Sequence, residues 1–212
     1  MSGLSWRIAE ETDIPAITAL QMRAIEELQK PFLSPEQIES SKKTMGLDTQ
    51  LIEDRTYFMI EAEDAPEGVF AGCGGWGRRA TLFGGSHSAG RSDAFLDPKT
   101  EPARIRAMYA SPDFTRRGVG KLLLALGELA ASEEGFSRMT LGATLAGQPL
   151  YEAAGFREVS RVDDAAGDGF NVPVITMEKP IDREAAITAI AVATEEALAE
   201  TLARFAAARA QN

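Results

Sequence analysis

Along this chain of 212 residues the spacing of apolar positions changes period repeatedly, marking out short strands and helices with no internal repeat. Residues 6–9 read as a first strand, after which Thr12 or Asp13 caps a helix with Pro15 in its opening turn that runs to about Leu28. Ser34-Pro35-Glu36-Gln37 supplies an N-cap, a proline at the first helical position and a capping-box glutamine, predicting a second helix to about Gly46. Residues 57–63 and 69–76 read as a hairpin around Asp64-Ala65-Pro66-Glu67-Gly68. Residues 84–102, rich in Gly, Ser, Asp and Pro, predict a long loop, either a cover for a site or a surface insertion. Regular patterning then resumes as a strand over 103–110, a helix over 118–134 and a strand over 138–143. A helix around Tyr151 follows, and strands over 157–162 and 171–177 close the pattern across a turn at 163–169.

The segment 182–211 is Ala-rich and sets Ile187, Ile190, Leu198, Leu202 and Phe205 on one face, predicting a single amphipathic helix. Such a stripe must be buried, on its own domain or on a partner subunit, which would make a homodimer. Glu195, Glu196 and Glu200 give it an acidic polar face, the wrong sign for a membrane surface. The division expected is therefore a domain over residues 1–180 and a helical tail over 181–212.

Composition narrows the classes further. With 44% hydrophobic and 25% charged residues the chain can bury one sizeable core, and no apolar run approaches a membrane span or follows a basic start, so a cytoplasmic protein is expected. A formal net charge of -10 argues against nucleic acid as a partner, since phosphate backbones need compensating cations. Cys73 is the only cysteine, which excludes an internal disulfide and a cysteine-based zinc cluster, and its small-residue strand reads as a buried thiol. His87 is the only histidine and sits in a polar run that reads as a solvated loop, so no metal is expected.

One stretch departs from this ordinary background. Between Ile105 and Leu124 a strand passes through Ser111-Pro112-Asp113 into an Arg/Gly-rich turn that opens directly into an apolar helix. Gly118 and Gly120 remove side chains where the backbone turns, so the amides from about Arg116 through Val119 to Lys121 can converge on an anion at a helix N-terminus. Arg116, Arg117 and Lys121 add positive charge, which suits a polyanionic ligand. A Walker loop is excluded by Thr115 and Leu122, and a dinucleotide fingerprint by the bulky Leu123.

Thr115-Arg116-Arg117-Gly118-Val119-Gly120 resembles the acetyl-CoA motif of the GNAT superfamily, Q/R-x-x-G-x-G/A, with threonine in place of the first Gln or Arg. Leu150-Tyr151-Glu152-Ala153-Ala154-Gly155-Phe156 resembles that family's later L/F-Y-x-x-x-G-F signature, some thirty residues downstream, and the likeness covers roughly residues 5–180. The resemblance implies a mixed α/β fold: a mostly antiparallel sheet splayed at the CoA-binding strands and flanked by helices, with a C-terminal helix added. It also implies transfer of an acetyl or other acyl group from acetyl-CoA to a primary amine of a small molecule or peptide, without a covalent enzyme intermediate. The alternative is a CoA-binding regulatory or scaffold protein with little or no catalysis.

By the same resemblance Met108, Tyr109 and Ala110 pair through their backbone with the pantetheine arm, the amides of Arg116 to Lys121 meet the pyrophosphate, and Thr144 adds a cofactor-side contact. Tyr151 stands where the family often places its general acid; the alternative is a tyrosine that only packs on the cofactor. A lysine-like amine is neutral about once in 2,500 molecules at pH 7, so a base, a water chain or desolvation must supply the free amine. Glu101 and Asp97 are the carboxylates nearest the position where relatives carry a base. The acceptor wall is expected from 21–33, 74–76 and 84–102, and acid-rich segments around Glu53, Asp54, Glu61, Glu63 and Asp64 favour a cationic acceptor.

Overall fold

The computed structural model describes residues 3–86, 92–164 and 166–211. Its seven strands are β1 (Leu4–Ile8), β2 (Tyr57–Ala62), β3 (Gly72–Gly77), β4 (Ala103–Ala110), β5 (Arg138–Ala143), β6 (Arg157–Val162) and β7 (Val174–Pro180). They form one sheet in the order β1-β2-β3-β4-β5-β7-β6, antiparallel throughout except between β4 and β5. The helices are α1 (Ile14–Leu28), α2 (Pro35–Ser41), α3 (Gln50–Glu53), α4 (Val119–Glu133), α5 (Gln148–Ala153), α6 (Arg183–Thr194) and α7 (Leu198–Arg209). The mixed, mostly antiparallel fold expected from the sequence is the one observed.

Alternation along the strands divides the interior into two cores, one on each sheet face. One face sends Trp6, Phe58, Ile60, Ile105 and Met139 against α4, whose Leu122, Leu123, Leu126 and Leu129 are buried almost completely. The other face sends Tyr57, Met59, Cys73 and Tyr109 against Ile17, Leu20 and Ile25 of α1 and Ile38 of α2. Glu128 of α4 is buried at 7% exposure, and its carboxylate accepts from Lys179 Nζ at 3.0 Å and from the Asp182 amide at 2.6 Å. That carboxylate joins α4 to the end of β7 and the start of α6.

Several expectations shift. The capping box at Ser34 forms, with Gln37 N 3.3 Å from Ser34 Oγ and Ser34 N 2.9 Å from Gln37 Oε1, but α2 ends at Ser41, and the short helix α3 was not signalled. The loop at 84–102 is held at both flanks: Ala80 N bonds the Ala94 carbonyl at 2.9 Å and Leu96 N the Arg78 carbonyl at 2.8 Å. His87 lies outside the described residues.

The expected single tail helix is two. Glu195 adopts a left-handed conformation, φ 59°, that ends α6 and turns the chain back, and the Thr194 hydroxyl accepts from the Glu196 amide at 3.1 Å. The reversal lays Phe205 of α7 against Trp6 and Phe58, with ring centroids 5.3 and 6.0 Å away, while Arg204 bonds the Trp6 carbonyl at 2.9 Å and sits 4.3 Å above its indole. Ile190 and Phe205 thus complete the α4-side core of their own chain. Among the described residues no helix is long and apolar enough to cross a membrane.

Candidate active site

The sheet opens at its centre. β4 and β5 pair in parallel only at Ala103–Met139 and Arg104–Thr140, whereas β4 stays with β3 as far as Ala110 and β5 stays with β7 as far as Ala143. From Ile105 onward the β5 side of β4 therefore has no strand partner among the described residues. A bulge bends β4 at the same level: Cys73 faces Tyr109 and Gly75 faces Arg106, so two residues, Ala107 and Met108, oppose Gly74, and Ala107 takes φ 48°. The Ala107 carbonyl accepts from the Tyr57 hydroxyl at 2.7 Å, and Gln21 Nε2 donates to that hydroxyl at 3.2 Å. The buried Cys73 sulfur lies 3.4 Å from the same oxygen, and burial pushes this thiol up to about 12, so it stays a protonated packing group.

At the end of β4 the chain turns into α4. Arg116 at φ 64° and Gly118 at φ 91° curl the backbone, and among the described residues no turn or cap hydrogen bond is donated by the amides from Arg116 to Lys121. A Cβ on Gly118 would meet nothing within 4 Å, so this glycine serves the backbone angle, whereas a Cβ on Gly120 would stand 2.6 Å from Leu150 Cδ2. Gly120 thus also lets the start of α4 approach α5. Arg117 is committed elsewhere, bonding both Asp64 oxygens at 2.8 and 3.0 Å and lying 5.1 Å over Phe114. Arg116 and Lys121 remain exposed at the turn.

These elements surround a cavity of about 350 Å³. Met108, Tyr109, Ala110, Thr115, Gly120, Thr144, Leu150 and Tyr151 line one half, and the end of α1, residues 44–46 and residues 82–84 line the other. Thr144 Oγ1 is used locally, accepting from the Gly147 amide at 3.1 Å. Tyr151 is 8% exposed, its ring edge-on to Phe156 at 6.0 Å, and its hydroxyl has no hydrogen-bond partner among the described residues. Burial pushes its phenol up to about 12. The Tyr109 hydroxyl points to the α1 side and accepts from the Gly46 amide at 3.1 Å.

Other expected residues lie outside the cavity. Glu101 is exposed outside the cavity, where its carboxylate accepts from the Asp97 amide at 2.8 Å, and neither acid lines the cavity. Gly74, Gly75 and Trp76 are buried in β3 and do not line it either. The acid-rich segments are also away from it: Asp54 bonds Arg79 at 2.6 and 2.7 Å, Asp64 bonds Arg117, and Glu61 bonds Arg7 at 3.3 Å. Among the described residues no carboxylate lines the cavity. Sequence reading missed Tyr57 and the buried Arg106. The available signal was a polar tip or charge inside an otherwise apolar strand or helix face.

The unpaired edge of β4 and the unused amides of the turn fit a ligand with a peptide-like arm and a phosphate, as coenzyme A has. The sequence profile described as Acetyltransferase (GNAT) domain matches residues 53–158. Among solved structures the chain is similar to the PaiA N-acetyltransferase of Thermoplasma acidophilum in complex with coenzyme A (17% identity, TM-score 0.54, 84% of this chain and 98% of that one). It is also similar to a GCN5-related N-acetyltransferase of Kribbella flavida (20% identity, TM-score 0.52, 84% and 98%). A third is the N-acetylglutamate synthase of Neisseria gonorrhoeae complexed with coenzyme A and N-acetyl-glutamate (21% identity, TM-score 0.52, 85% of this chain and 35% of that one). No curated protein sequence matches the chain.

Proposed function

This chain belongs to the GNAT family of acetyltransferases, and from that premise we propose that it transfers the acetyl group of acetyl-CoA directly to a primary amine, with Tyr151 acting at the leaving sulfur. One observation carries the reading: residues of the anion-ready turn, the unpaired stretch of β4 and the Tyr151 ring line a single cavity. The amides from Arg116 to Lys121 would hold the pyrophosphate, and the backbone of Met108 and Ala110 would pair with the pantetheine arm. Acetyl-CoA, when bound, supplies a thioester carbonyl as the electrophile.

The roles of the side chains follow from their proton affinities. The amine nitrogen forms the new amide, the C–S bond breaks, and the proton lost by nitrogen ends on sulfur. A phenol pushed up to about 12 stays protonated across the neutral range. It is a weaker acid than a thiol of pKa about 8.5, so it acts by donating a hydrogen bond to sulfur as negative charge develops there. Tyr57 acts one step removed, holding the Ala107 carbonyl and with it the bulge that aims the Met108 amide.

The test is release of free thiol from acetyl-CoA across a panel of primary amines, with mass detection of the acetylated product. Product from at least one amine is expected. Tight acetyl-CoA binding with no thiol release for any amine would favour a CoA-binding regulatory protein instead.

A further inference from the structure

We propose that the acceptor is a primary amine carried on an apolar body with no second positive charge, seated between the end of α1, residues 44–46 and residues 82–84. This rests on the reading above, in which the opposite half of the same cavity takes acetyl-CoA. The seat is formed by Leu28, Phe32, Met45, Leu82 and Phe83. Phe32 and Phe83 keep 46% and 37% of their surface exposed, an unusual cost for two phenylalanines beside one cavity, and an apolar occupant would cover them.

Charge sets the second half of the proposal. Arg106 is the one charged side chain lining the cavity among the described residues. It is 4% exposed and spans Asp48 at 2.9 Å, the Thr81 carbonyl at 2.9 Å and the Gly84 carbonyl at 2.8 Å. The guanidinium is therefore neutralised by Asp48 and braces the 81–84 segment against β4. A second ammonium on the acceptor would leave water here without a carboxylate to meet it, and burying an unpaired charge is strongly unfavourable.

The seat is also built before any ligand arrives. Gln29 Nε2 donates to Ser41 Oγ at 3.2 Å, closing α1 onto α2, and the Gly46 amide is fixed to the Tyr109 hydroxyl. Asp168, in the connection between β6 and β7, takes Lys43 Nζ at 2.6 Å and Ser40 Oγ at 2.8 Å, pinning α2 and its exit from outside. A pre-formed apolar wall favours a ligand whose shape fills it over one that brings its own solvation.

Initial rates of thiol release with acetyl-CoA would be compared for ethylamine, butylamine, 2-phenylethylamine and 1,4-diaminobutane, using the full chain. Each buried methylene should raise kcat/KM about fourfold, so that butylamine exceeds ethylamine by roughly fifteenfold on the same basis. Diaminobutane should fall at least about tenfold below butylamine. Phe83→Asp, at a position 37% exposed, should lower the phenylethylamine rate and raise that of diaminobutane while the acetyl-CoA Kd holds. Rates that are flat with chain length, or faster with the diamine, overturn the proposal. Where no amine turns over, the transfer reading itself fails. The acceptor class is then read from binding to the CoA-saturated protein, and diaminobutane shifting its melting temperature as much as phenylethylamine overturns it.

Discussion

The two halves of the central cavity are built from different materials. The half that resembles a coenzyme A site is mostly backbone: among the described residues, a strand edge without a partner from Ile105 on, and a turn whose amides from Arg116 to Lys121 donate no turn or cap hydrogen bond. The half assigned to the acceptor is mostly side chain, from Leu28 and Phe32 to Met45 and Phe83. Backbone recognition constrains few residue identities and those few strictly, so it leaves a short motif. Side-chain recognition is free to vary, and it carries the individuality of the protein.

If that contrast is right, the largest loss should come from disturbing the backbone half. Gly118→Asp puts a carboxylate where a Cβ meets nothing within 4 Å, at a backbone angle of φ 91°. Acetyl-CoA affinity should drop more than about a hundredfold, through charge beside the pyrophosphate together with strain of about 1–3 kcal/mol. Calorimetric titration against Gly118→Ala separates the two causes, and an unchanged Kd in folded Gly118→Asp would remove the turn from the site. Gly120 is a poorer target, because its substitution also displaces Leu150.

The next effect in size tests whether a side chain matters in the backbone half at all. Tyr151→Phe should lower kcat about a hundredfold with the KM for acetyl-CoA nearly unchanged, the pattern of an interaction made only in the transition state. Since burial pushes the phenol up to about 12, the group is protonated below that and lost only above it. Wild-type kcat/KM should accordingly rise with pH as the amine deprotonates and show no falling limb below about pH 10. A kcat unaltered in the variant would reduce Tyr151 to packing against Phe156.

The smallest effect sharpens the boundary between the halves. Tyr57→Phe removes the 2.7 Å hydrogen bond to the Ala107 carbonyl from the acceptor face of the sheet. It should cost about tenfold in kcat and about 1–3 kcal/mol of stability, because a buried carbonyl loses its partner. A stability loss with kcat intact would show that the bulge keeps its shape without Tyr57.

Much of the backbone half was legible in the sequence, because a turn of this shape needs Gly118 for its local backbone angle and Gly120 for its close approach to Leu150, and both needs show as glycines in one short motif. β4 and β5 were readable from apolar patterning, and their boundaries are those expected. The pairings of charges were not, since Arg117 meets Asp64 and Arg106 meets Asp48 across more than fifty positions of chain, so surplus acid in one segment says little about where its field acts. Nearness in sequence to β4 also did not bring Glu101 to the cavity, because it precedes the strand and caps its own turn at the Asp97 amide. The break in the tail escaped notice because Glu195 takes a left-handed conformation without the glycine that usually announces one.

The seating of α7 on β1 bears on how the molecule comes to be made. The bond from Arg204 to the Trp6 carbonyl spans 198 positions of sequence, so β1 is made long before the helix that covers it. Until α7 arrives, Trp6 and Phe58 lack the Phe205 ring on one side, and long-range closure of this kind is slow. A chain cut before Leu198 therefore leaves the side of Trp6 and Phe58 that Phe205 covers as exposed apolar surface.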